Sequence, residues 1–321
     1  GKAKFTLALT GTPWRSDKIP ITLGQYSNTG IIHCDYSYGL TKAIEDNVCR
    51  IPNITLIDND KITLTASGSS SQYNSFETLL KESKCNYQSL IESKSLIKYM
   101  LEQANKKLNT IRKTDDKAGG LIVASSVSHA KDIHTILKKI LKEDAVIVTY
   151  LEPNAVLLIK QYKVSNVKWI ISVGMISEGT NIPRLKVCCY LTRVKTELYF
   201  RQVLGRVLRV NGTDNDKGYL FMPAEPVISG YALRVSEDIP YENVLKFESI
   251  HYKKNRIKII KSEFETTNGK LKDMFEVDEQ INFTGNNAIG GTPSLSRGYE
   301  NSLDLFGNFQ RKVFTLNGHY K

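Results

Sequence analysis

The sequence predicts an α/β fold: a parallel β-sheet covered by helices on both faces. Two observations predict it. Between residues 121 and 222, short apolar runs alternate with segments of helical period. The runs are also continuous, whereas a sheet with one wet face would alternate apolar and polar residues.

The elements follow in order. Phe5-Thr-Leu-Ala-Leu9 reads as a short buried strand, stopped by the turn cluster Thr10-Gly-Thr-Pro13. Residues 14–62 mix β-like runs and turns; Ile54-Thr-Leu-Ile57 is the clearest run, and Thr41–Asn47 suggests a helical turn. A polar loop at 67–72 precedes a long helical stretch, about 75–113, carrying Leu90, Ile91, Leu96, Ile97, Met100, Leu101, Ala104 and Leu108. Leu121-Ile-Val-Ala124 is then a strand, with Ser126 or Ser128 as N-cap to a helix carrying Ile133, Ile136, Leu137, Ile140 and Leu141. Strand 145–150, helix 154–164, strands 168–173 and 187–191, helix 196–209 and strand 218–222 complete the pattern. Beyond Pro223 the regularity weakens into a small β-rich or mixed region, with runs at Arg256–Ile260 and Lys312–Leu316.

Composition narrows the class. Hydrophobic residues make up 41% and charged residues 24%, which excludes a disordered or fibrous chain. At about 150 residues per domain, 321 residues suggest two domains. No apolar run nears the ~20 residues of a membrane span. The start, Gly-Lys-Ala-Lys-Phe, has neither a signal-peptide core nor an initiator Met, so an excised piece of a cytoplasmic protein is expected. Five cysteines, with no C-x-x-C pair, argue against a disulfide framework or zinc site; Cys188 and Cys189 read as inert strand residues. No pair among His33, His129, His134, His251 and His319 has metal-ligand spacing, so no metal site is expected. The formal charge of +11 suits a polyanionic partner.

Three segments carry chemistry. On a helix, Gln202, Arg206 and Arg209 fall within about 60° of one another, opposite Phe200, Val203, Leu204, Val207 and Leu208. One face packs and the other aims a Gln and two guanidiniums together, which suits a phosphate. Gly205 permits close approach of another backbone. Taken alone, the stripe reads equally well as a solvated helix face. Gly174-Met-Ile-Ser-Glu-Gly-Thr-Asn-Ile-Pro183 leaves a strand end as a Gly-rich loop, where α/β ligand sites gather. Thr10-Gly-Thr-Pro13 likewise follows a strand and presents two hydroxyls.

Together these segments resemble a known family. Thr10-Gly11-Thr12-Pro13 is similar to motif III of superfamily II helicases and translocases. Leu121–Ser126 with His129-Ala130 resembles motif IV, Ser177–Pro183 motif V, and Q-x-x-G-R-x-x-R at 202–209 motif VI. T-G-T-P-x-R-S-D at 10–17 points to the restriction-enzyme group of DEAD/DEAH-box proteins, similar to type III Res subunits. The resemblance covers about residues 5–223. It implies two RecA-like domains with ATP and Mg²⁺ between them. On that basis 1–28 would end the first domain, 29–116 would lead into the second, 117–223 would be the second, and 224–321 an accessory region.

The resemblance also assigns roles. Arg206 and Arg209 match arginine fingers, and Gln202 the γ-phosphate sensor. Glu178, Gly179 and Asn181 match motif V, with Asn181 standing where the family usually has Asp; Gly205 lies within motif VI. Thr10, Gly11 and Thr12 match the coupling motif. Ser125, Ser126, Gly174 and Ser177 are candidate nucleic-acid contacts, DNA being favoured over RNA.

Motifs I and II belong upstream of motif III, where this sequence has no room for them. Gly285–Thr292 has phosphate-loop glycine spacing but Gly291 in place of the Lys, and Asp278-Glu-Gln-Ile281 follows motif VI. The chain alone is therefore expected to be inactive, with ATP and Mg²⁺ held mainly by an N-terminal RecA-like domain of the same protein. Two alternatives stand beside the motor reading: a non-catalytic binding or regulatory module, and the motor part of a restriction system. Tyr252–Lys261 could be a basic strand on a phosphate backbone or a lysine-guarded edge strand. Leu303-Asp-Leu-Phe306 resembles a sliding-clamp docking motif.

Overall fold

The computed structural model describes residues 24–25, 35–36, 38–66, 69–176, 180–210, 217–237, 245–248 and 302–316. The first half holds α1 (Leu40–Glu45), β1 (Ile51–Asn59), β2 (Ile62–Ala66), β3 (Ser69–Tyr73), α2 (Phe76–Glu82), α3 (Tyr87–Ile91), α4 (Lys94–Ile111), β4 (Gly119–Ala124) and α5 (Val127–Ile136), which runs into a π-helical turn. After them come β5 (Ala145–Thr149), α6 (Ala155–Val164), β6 (Trp169–Val173), β7 (Leu185–Leu191), α7 (Glu197–Val207), β8 (Lys217–Pro223), α8 (Pro226–Glu237), β9 (Leu245–Glu248), β10 (Ser302–Leu305) and β11 (Phe309–Leu316).

The expected α/β architecture is present. The main sheet has the order β5-β6-β4-β7-β8-β1-β11-β9. Neighbours from β5 to β1 are parallel; β11 and β9 join antiparallel. Parallel crossovers are right-handed, so the direction of each step along the sheet fixes the face of its helix. The step β4 to β5 runs one way, while β5 to β6 and β7 to β8 run the other. Hence α5 covers one face, and α6 and α7 the other. Every residue of β7 is buried, with α4 on one side and α7 on the opposite side. Cys188 and Cys189 lie in this strand, and burial pushes both thiols well above their ordinary value. Among the described residues no helix is long and apolar enough to cross a membrane.

The sheet takes in strands outside residues 117–223. β1 pairs in parallel with β8, with Ile54 beside Leu220. β11 adds to the free edge of β1 with Phe314 opposite Ile54. Tyr99 of α4 stacks on Phe309 with ring centroids 4.3 Å apart, fastening the late strand to an early helix.

The stretch 75–113 forms three helices where one was expected. Ser75 caps α2 by accepting from the Thr78 N–H, and Asn86 caps α3 by accepting from the Ser89 N–H. Ser83 turns back to donate to the Leu79 carbonyl, ending α2. Short polar side chains thus compete with helix continuation inside an otherwise helical pattern. Leu303–Leu305 lies in β10, paired antiparallel with β2, so this stretch of the clamp-like segment is engaged within the fold. The segments at 252–261, 278–281 and 285–292 lie outside the described residues.

Gly120 of β4 faces the ring of Trp169, and a Cβ at this position would overlap the ring. Trp169 is itself fixed, its Nε1 donating to the Asn105 Oδ1 at 3.3 Å. Gly120→Ala is expected to lower unfolding free energy by about 1–3 kcal/mol through overpacking, read as a reduced urea midpoint at unchanged m-value.

Candidate functional site

The candidate residues fall at two edges of one sheet. Helices run back against the strands, so each starts at the carboxyl edge and ends at the amino edge. The carboxyl edge carries Ser125, Ser126 and Gly174; the amino edge carries Arg206, Arg209 and Asn181.

At the carboxyl edge β4 ends at Ala124 and α5 begins at Val127. Ser126 caps α5, its Oγ accepting from the His129 N–H at 3.1 Å. The Ser125 N–H donates to His129 Nδ1 at 3.2 Å, and the Ser125 Oγ lies 2.8 Å from the same nitrogen. Since Nδ1 accepts a backbone hydrogen, the neutral ring carries its proton on Nε2. Both candidate serines are therefore oriented by the helix start, and His129 is the residue the sequence reading left without a role. The i, i+4 spacing from Ser125 to His129 was the available signal. Gly174 follows β6 with φ +70°, a left-handed backbone that favours glycine, and is exposed beside Tyr150. Thr196 starts α7 at this edge, accepting from the Tyr199 N–H.

At the amino edge the last turn of α7, which holds Arg206, and the bridge residue Arg209 just past its Leu208 cap bring two guanidiniums to one oxygen. Arg206 Nη1 donates to the Thr180 carbonyl at 2.7 Å, and Arg209 Nη1 donates to the same oxygen at 2.6 Å. Arg209 Nη1 also donates to the Asn181 Oδ1 at 3.0 Å. Arg206 is nearly buried, at 8% exposure. Burial lowers the pKa of Arg209, yet an arginine stays cationic at neutral pH. Thr180 was not singled out from the sequence because its carbonyl, not its side chain, is the acceptor.

The structure thus joins the stripe on α7 to the Gly-rich segment. Gln202 is half-buried one turn before Arg206. Gly205 faces open space, with nothing of the described chain within 4 Å of a Cβ there. Ser177, Glu178 and Gly179, together with Thr10, Gly11 and Thr12, lie outside the described residues.

A third arginine, absent from the sequence reading, underlies this edge. Arg50, 2% exposed, sits just before β1. Its Nη1 donates to the Leu185 and Val207 carbonyls at 2.9 and 3.1 Å, and its Nη2 to the Pro183 carbonyl at 3.0 Å. Its backbone N–H donates to the Leu208 carbonyl at 2.6 Å, and Cys49 forms a β-bridge with Arg209. Nearby, burial pushes Asp115 up, but Lys186 at 2.9 Å and the Arg50 charge outweigh it, so the carboxyl lies below its ordinary value.

No protein-family model matches the chain. It is 28% identical to the uncharacterized protein Rv2917 of Mycobacterium tuberculosis over 232 residues, 70% of this chain and 38% of the relative. It is 29% identical to the uncharacterized protein ML1624 of Mycobacterium leprae over 226 residues, 68% of this chain and 38% of the relative. The chain thus spans under two-fifths of the length of these relatives. Among solved structures it is similar to a fragment described as an HsdR subunit of a type I restriction enzyme from Vibrio vulnificus, with a TM-score of 0.44 at 13% identity, over 62% of this chain and 37% of that one. It is also similar to domain 2 of the DEAD-box helicase Mss116p, with a TM-score of 0.34 at 15% identity, over 43% and 54%.

Two predictions follow from the geometry. Burial lowers the His129 pKa from 6.5, while Glu92, Asp132 and the Ile91 carbonyl pull the other way. As pH falls through 6.5 the unfolded chain binds a proton that the folded ring resists. Stability therefore drops on acidification below that pH, and urea midpoints of His129→Gln should lack this part of the slope. At Gly205, Ala meets no clash and improves the helix, so Gly205→Ala should stabilise the chain by about 0.5–1 kcal/mol, measured by thermal unfolding.

Proposed function

We propose that this chain is the second motor half of an ATP-driven superfamily II helicase or translocase acting on nucleic acid, DNA in preference to RNA. The observation that carries the reading is the meeting of Arg206 and Arg209 on the Thr180 carbonyl. The segment resembling motif VI and the segment resembling motif V are there one bonded unit.

The donor set fits a triphosphate. Two guanidiniums already reach a single acceptor oxygen, so no large movement is needed to converge on a phosphate oxygen. A phosphate oxygen carries a full charge where the carbonyl carries only a partial one, so it would bind the two guanidiniums more strongly than that carbonyl does. ATP with Mg²⁺ would supply the phosphoryl group to be transferred. Arg206 and Arg209 would stabilise the charge that develops on it, with Gln202 on the same stripe as a further hydrogen-bonding group. The residues expected to hold the metal and the triphosphate, G-x-x-x-x-G-K-[ST] and D-E-x-H, would come from an N-terminal RecA-like domain of the same protein. Its approach would meet the open surface at Gly205.

Nucleic acid would lie at the carboxyl edge. There the starts of α5 and α7 turn positive helix ends outward, and Ser125, Ser126 and Gly174 offer hydroxyls and backbone N–H groups to phosphates. The formal charge of +11 supports such a partner. Residues 174–184 run from this edge to the arginine pair. One continuous stretch would then connect the strand being moved to the phosphate being cleaved.

The test is an ATPase assay on the full-length protein that contains this chain, with and without DNA and RNA. Hydrolysis stimulated by nucleic acid is expected, and Arg206→Ala or Arg209→Ala should cut kcat by about 10³–10⁵. The chain by itself should show no turnover. Full activity in the Arg206→Ala protein would overturn the assignment.

A further inference from the structure

We propose that Arg50 is the positioning residue of the arginine pair, holding both halves of the site in register. The proposal rests on the functional reading above for its meaning, and on geometry for its content. The two halves flank one strand–helix unit: residues 180–185 lead into β7, and residues 206–209 span the end of α7 and the bridge after it. Each half is held by the same guanidinium, through Pro183 and Leu185 on one side and Val207 on the other. The backbone adds to this grip. The Arg50 N–H bonds the Leu208 carbonyl, and Cys49 bridges Arg209 itself.

The chemistry suits arginine and no other residue. A planar fork presents several N–H donors in fixed directions, and three carbonyls at the end of a helix and before a strand need donors. Lysine could reach one or two of them, without the fixed plane. The described bonds of Arg50 go to the backbone of the two segments that carry Arg206, Arg209 and Thr180, which makes it a positioning residue.

Arg50 lies immediately before β1, so its grip also ties the two segments to the start of that strand.

The experiment compares wild type, Arg50→Gln and Arg50→Lys in the full-length protein, by hydrogen exchange and by ATPase kinetics. Exchange should rise about tenfold or more at 180–185 and 205–210 in Arg50→Gln, while β4 keeps its protection; Arg50→Lys should fall between. Unchanged exchange in those two segments overturns the proposal, as does an equal rise in β4, the mark of a merely structural role. Should Arg50→Gln lose the fold, the same segments decide the matter in Arg50→Lys. In kinetics, kcat should fall at least tenfold with KM for ATP unchanged, and adding Arg50→Gln to Arg206→Ala should cost little more. A fall confined to KM, or full additivity with Arg206→Ala, overturns the proposal. If the wild-type protein hydrolyses no ATP, the functional reading fails, and the exchange pattern still decides whether Arg50 positions the pair.

Discussion

Two positive charges share one carbonyl oxygen, and much of the amino edge is arranged around that fact. Like charges placed together repel, and the Thr180 carbonyl offsets only part of the repulsion. The arrangement persists because both side chains are anchored. Arg206 is nearly buried on the last turn of α7, and Arg209 is tied through Cys49, with Asn181 accepting from the same nitrogen that bonds Thr180. Removing any one anchor would let the guanidiniums separate into solvent. What is held in place is two guanidiniums converging on one neutral oxygen.

The sheet topology explains how Thr180 comes to be there. From β6 to β7 the chain must pass over β4, which lies between them. It must also return from the carboxyl edge to the amino edge, because β6 and β7 are both parallel to β4. Residues 174–176 and 180–184, the described part of that return, form no helix, where the other crossovers of this part of the sheet use one. Their backbone groups are therefore not consumed by a helix, and the Thr180 carbonyl is open to side chains of α7. Gly174, in its left-handed conformation, begins the return by turning the chain out of β6.

Much of this was legible in the sequence, for physical reasons that also mark where legibility stops. Continuous apolar runs announce strands covered on both faces, and β4, β6, β7 and β8 were read within a few residues. Gln202 and Arg206 share a face of α7 as helical period implies, whereas Arg209 lies past the end of the helix, in a bridge with Cys49 that helical period does not foretell. Arg50 was not legible: its partners lie 133 to 157 residues away, and a lone arginine before an apolar run has no periodic signature. The same applies to β11, whose pairing with β1 joins residues near opposite ends of the chain. The three-way split of 75–113 was a local event that the apolar period concealed, because the breaks lie in capping side chains and not in the apolar positions.

The asparagine at 181 is best understood from the same charge argument. An aspartate there would answer Arg209 with a full negative charge, forming a charge-assisted bond stronger than the neutral one observed. Such a pair would hold Arg209 against the Gly-rich segment and lower its attraction for any other anion. Asparagine offers the same acceptor geometry at 3.0 Å without the charge. It keeps the guanidinium oriented without adding a carboxylate of its own. Orientation and availability are thus separated: Cys49 and the amide of Asn181 supply the first, and the absence of a carboxylate at 181 leaves room for the second.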